Sequence, residues 1–98
     1  MTTSTLDAAL ALSARLLASV RSGEESRQLQ RLSLGSVLPK TERQLLGRRR
    51  LLAAALVEAS RLSRDAGLDA QALELARAYG EQAHLIEQAE LAASAGRL

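Results

Sequence analysis

Residues 64–73, RDAGLDAQAL, constrain the fold more than any other stretch. Gly67 fits the left-handed position just past a helix end. Asp69 fits the N-cap of a following helix, and Leu68 and Leu73 have the spacing of a hydrophobic staple around that cap. A stop and a start this close fold two helices back on each other as antiparallel neighbours. The flanks agree. Before the turn, Leu45, Arg49, Leu52, Leu56, Ala59, Ser63 and Ala66 alternate three and four apart. After it, Ala72, Leu75, Tyr79, Gln82, Ile86, Ala89 and Ala93 do the same. That is the spacing of two helical seams that pack together.

The residue types support helix and little else. Of 98 residues, 21 are Leu and 19 are Ala, while Val and Ile together number four and Phe and Trp are absent. Ala and Leu are the strongest helix formers, and β-branched residues are scarce. The fold class read from the sequence is all-α. It is a small helical bundle built on an antiparallel C-terminal hairpin, with one or two shorter N-terminal helices. The whole chain, 1–98, reads as one domain. The N-terminal helices occupy about 4–34, a loop 35–40, and the hairpin about 41–95.

The N-terminal part is set by local signals. Ser4 and Asp7 form a helix start. Leu6, Leu10, Leu16, Leu17 and Val20 then follow helical spacing. Gly23 ends or kinks this helix, and Glu24 and Glu25 favour a new start, giving a second short helix to about Leu34 with Leu29 and Leu32 apolar. In LGSVLPK, residues 34–40, Gly35, Ser36 and Pro39 interrupt helix, and the apolar residues pack the loop down. Thr41 with Gln44 forms a capping box for the next helix.

Three adjacent arginines, Arg48, Arg49 and Arg50, break the apolar run of that helix. Adjacent helical residues lie about 100° apart, so the three fan out and Arg49 faces the seam. Glu81, Glu87 and Glu90 of the last helix are candidate partners. Residues 1–50 hold nine basic and four acidic side chains, a net of +5, and residues 51–98 hold four and seven, a net of −3. A basic half can follow phosphates, so a nucleic-acid-binding regulator using Arg43 and Arg48–Arg50 is one reading. No aromatic is interleaved for base stacking, and no phosphate loop is present. The favoured reading turns the arginines toward protein, with opposite charges guiding the docking of helices.

Catalysis has little to draw on. Cysteine is absent, which removes thiol chemistry and disulfides. His84 is the single histidine, and Glu81 with His84 has the Glu-x-x-His spacing of di-iron bundles. Those sites need further inward carboxylates, and only Glu58 stands opposite. The sequence therefore predicts no enzyme, no cofactor and no metal. No apolar run reaches the roughly 18 residues of a membrane span, and no positive region opens the chain as in a signal peptide. A cytoplasmic protein is expected, and the excess of Arg and Ala points to a GC-rich bacterial coding sequence.

An Ala/Leu interior buries less area per residue than one with aromatics. Leu46, Leu51, Val57, Leu85 and Leu91 lie off the two seams, and one hairpin cannot cover them all. The expected function is a non-enzymatic helical protein–protein interaction module, such as an adaptor, an assembly chaperone or a regulatory subunit. Its partner is a helical protein or a second copy in a homodimer. The expected partner-binding residues are Arg48, Arg49, Arg50, Leu46, Leu51, Val57, Leu85 and Leu91.

Overall fold

The computed structural model describes residues 4–96. Three helices follow in order: α1 (Thr5–Leu34), α2 (Pro39–Asp65) and α3 (Asp69–Ser94). The chain is all-α, and no strand occurs among the described residues.

The N-terminal segment differs from the sequence expectation. It is one helix of 30 residues, the longest of the three, rather than one or two shorter ones. Ser4 caps its start as expected, with the Asp7 amide donating to Ser4 Oγ at 3.0 Å. Gly23 neither ends nor kinks it. A Cβ at position 23 would lie 2.9 Å from Leu45 Cδ1 on α2 and 3.3 Å from the Arg48 guanidinium. Glycine here serves close approach between helices, and α1 continues through it without a break. The helix ends at Gly35, whose φ of 73° is left-handed. Leu29 and Leu32, expected as an apolar face, are exposed.

The cap of α2 also departs from expectation. Pro39 starts the helix, where its missing amide costs nothing, and Leu38 occupies the N-cap. Thr41 and Gln44 form no capping box. Gln30 of α1 acts instead: its Oε1 accepts from the Leu38 amide at 3.0 Å, and its Nε2 donates to Thr41 Oγ1 at 2.6 Å. Gln30 thus ties α1 to the start of α2 across the loop, which local spacing cannot reveal. At the second turn Gly67 is left-handed as expected, with φ 77°. Asp69, however, is the first residue of α3 rather than its cap. Leu68 occupies the N-cap itself, and Leu68 and Leu73 are both exposed.

Both outer helices pack on α2. Val20 of α1 and Leu45, Leu52 and Leu56 of α2 form the core, with Leu16, Leu17, Leu75 and Ala78 against it. Side-chain hydrogen bonds fix the turn end of α2 and α3: Ser60 Oγ donates to the Ala72 carbonyl at 3.0 Å, and Gln71 Nε2 to Ser63 Oγ at 2.9 Å. Among the described residues, no Cα of α1 comes within 8 Å of one in α3. The outer helices therefore flank α2 without closing over it. The result measures 49 × 27 × 17 Å, with a radius of gyration of 15.5 Å. A compact chain of this length has about 13 Å.

Two other glycines sit inside helices with open space around them. A Cβ at Gly47 or Gly80 would meet nothing within 4 Å. Glycine in a helix interior costs about 0.5–1 kcal/mol relative to alanine. Gly47→Ala and Gly80→Ala are each expected to raise stability by about that amount in urea unfolding. A loss from either substitution would contradict the open space at these positions.

Candidate functional site: a groove along the central helix

Because α1 and α3 stand apart, α2 forms the floor of an open groove. Leu52 and Leu56 lie at its base, Leu10 and Leu17 line it from α1, and Leu75 and Ala78 line it from α3. Its volume is about 440 Å³. Arg21, Glu24, Glu81 and Gln82 also line it, so apolar walls meet a charged rim. A pocket with apolar walls and few polar groups is a surface for a ligand or a docked side-chain row.

Arg49 bridges the groove. Among the described residues it is the only charged one that is buried, at 6% exposure. Its Nη1 donates to Gln82 Oε1 on α3 at 3.1 Å. Its Nη2 lies 3.6 Å from Glu24 Oε1 on α1. One side chain of the central helix thus reaches both outer helices, whose backbones nowhere come within 8 Å of each other. Burial lowers the Arg49 pKa from its ordinary value, and Glu24 opposes that shift. Arginine starts so far above neutrality that it stays charged. Beyond the bridge lies a second cleft of about 260 Å³, lined in part by Leu46 of α2, Arg27 of α1, and Leu85 and Ala89 of α3.

The neighbours of Arg49 turn to either side of it. Arg48 Nη1 donates to the Ser19 carbonyl of α1 at 3.0 Å. Arg50 Nη2 pairs with Glu90 of α3 at 3.0 Å, in an exposed contact. The three arginines thus reach three separate partners and do not stand together as one positive patch. Arg49 faces the seam, as its spacing predicts. Glu90 is a partner, though of Arg50. Glu24, the carboxylate beside Arg49, comes from α1 and is not among the expected partners.

The expected partner-binding residues scatter. Leu46 and Leu85 both line the second cleft, and Leu46 is buried. Leu51 and Leu91 are exposed, at 60% and 63%. Val57 is exposed beside Tyr79 and Arg61 in a shallow cleft of its own. The structure does not gather the eight into one surface. Leu10, Leu17, Leu52, Leu56 and Leu75, which line the larger groove, stand in the sequence only as core stripes. A stripe tells which face is apolar, and it does not tell whether a neighbour covers it.

His84 and Glu81 are both exposed. Glu58 is hydrogen-bonded to Arg61 on its own helix, which lowers its pKa and raises that of Arg61. No group of three or more His, Asp or Glu side chains stands close enough to hold a metal among the described residues. No described helix is long and apolar enough to cross a membrane. No buried side-chain nitrogen or oxygen among the described residues lacks a hydrogen-bond partner. No family model, curated protein or solved structure matches the chain.

Proposed function

We propose that the chain is a non-enzymatic helical interaction module that receives an amphipathic helix in the groove between α1 and α3. The two hairpins run antiparallel, and the groove is the vacant position of a fourth helix over α2. The observation that carries this reading is the groove itself: Leu10 and Leu17 of α1 and Leu75 and Ala78 of α3 line it and remain partly exposed, above a floor of Leu52 and Leu56. A helix laid into an apolar groove is a recurring mode of protein recognition, and it suits an adaptor, an assembly chaperone or a regulatory subunit.

Ala78→Glu places a charge on the α3 wall, and Ala14→Glu places one on the α1 side. Ala54→Glu, on the exposed face of α2, is the control. Affinity capture from host lysate should retain the same helical protein with wild type and Ala54→Glu. Both groove variants should lose it while keeping their helical circular dichroism. Amide exchange on the complex should slow along 10–21 and 75–82. Equal capture by all four proteins, or protection confined to another face, would refute the reading.

A further inference from the structure

The groove alone leaves its occupant open, and α1 supplies one. Resting on the groove reading, we infer that the occupant is α1 of a second copy, crossing α1 antiparallel at Ala14. Helix α1 has no single apolar face. Between Leu6 and Val20 its charged residues are Asp7 and Arg15, with Leu and Ala on every side. A helix apolar all round is one buried from more than one side. Yet only Ser13 and Val20 are buried in this stretch, Val20 in the core against α2.

The side of α1 that borders the groove carries a register. Asp7, Leu10, Ala11, Ala14, Leu17, Ala18 and Arg21 lie on one stripe at helical spacing. Leu10, Ala14, Leu17 and Arg21 of this stripe line the groove. An antiparallel partner centred on Ala14 pairs each residue with the one equally far on the other side. Leu10 then faces Ala18, and Ala11 faces Leu17, so each large side chain meets a small one. Ala14 faces its own copy, and the two backbones can approach closely there. Asp7 faces Arg21 at both ends, roughly 10 Å from the centre along the axis. Steric and charge complementarity thus coincide in one register, and a twofold axis repeats every contact. Neither Asp7 nor Arg21 has an ion-pair partner within the chain among the described residues. The stripe borders the groove, so the second α1 also meets its partly exposed walls at Leu75 and Ala78.

Opposite charges in trans give a test with a built-in control. Asp7→Arg places Arg against Arg, and Arg21→Asp places Asp against Asp. Each variant alone should weaken self-association by at least about tenfold in sedimentation equilibrium. An equimolar mixture of the two should form a heterodimer. There the introduced arginine of one copy meets the introduced aspartate of the other, and the native Arg21 and Asp7 meet at the opposite end. The chain has no cysteine, so Ala14→Cys introduces a single thiol. Mild oxidation should link two copies through it, and Ala54→Cys should stay unlinked. A wild type that remains monomeric at high concentration overturns the inference. So does a dimer that both charge reversals leave unchanged. A monomer that still captures a helical partner in an Ala78-dependent way overturns the inference alone and leaves the groove reading standing.

Discussion

Arg49→Ala is expected to lose about 3 kcal/mol of stability, a large share of what a domain this size has. Two losses combine. Gln82, only 7% exposed, would keep an oxygen with no donor, and a buried unpaired polar group costs about 1–3 kcal/mol. The methylene stem of Arg49 would leave a void beside Leu45 and Leu52. The exposed pair Arg50–Glu90 offers a contrast. Such pairs contribute about 0–1 kcal/mol, so Arg50→Ala should be nearly silent. In thermal unfolding, Arg49→Ala should lower Tm by roughly 12 °C or more. The double variant Arg49→Leu/Gln82→Leu should recover most of the loss, because an apolar pair replaces the polar one as a unit. If Arg49→Ala unfolds within about 1 kcal/mol of wild type, Arg49 does not bridge the helices. If the double variant is as unstable as the single one, the loss has another cause.

This residue shows what can be read from the sequence. Two polar residues interrupt the apolar seams in mid-helix, Arg49 on α2 and Gln82 on α3. With the turn at Gly67 fixing the register, their hydrogen bond is within reach of sequence reasoning. The class all-α, the turn, and the burial of Leu45, Leu52, Leu56 and Ala59 follow from residue types and spacing alone. Glu24 beside Arg49 does not, because its place depends on how α1 lies on α2. The contacts of Gln30 with Leu38 and Thr41 are hidden for the same reason. Gly23 misleads because glycine has two uses. It breaks a helix when nothing holds the backbone, and it lets two helices close when packing does. Only the neighbour at Leu45 decides between them. The groove is the least legible feature, since it consists of a contact that α1 and α3 do not make.

Gly23→Leu is the second substitution with a large expected effect, a loss of about 3 kcal/mol or more. The first added carbon already falls 2.9 Å from Leu45 Cδ1. Leu45 is 2% exposed and lies in the core with Val20 and Leu52, so displacing it disturbs that packing. Overpacking a filled site costs about 1–3 kcal/mol, and a bulky side chain also pushes Arg48 off the Ser19 carbonyl. Gly23→Ala is a milder case. Its helix propensity gain of about 1 kcal/mol opposes the clash, so its net change should stay within about 1 kcal/mol. Urea unfolding of the two variants tests the close approach of α1 and α2. A leucine variant as stable as wild type would show that the helices stand further apart.

The missing contact between α1 and α3 also governs how the chain comes apart. Every packed pair of helices is adjacent in sequence, so the molecule is connected as a linear array rather than a closed ring. In such an array each outer element can open while the remaining pair stays folded. Amide exchange should then resolve two partial openings, one releasing α1 and one releasing α3, each below the free energy of global unfolding. The segment 52–59 of α2 takes part in both pairs and should exchange last. Arg49 grips both outer helices at once, so it is the residue that couples the two openings. Without it, the two ends of the molecule should breathe independently.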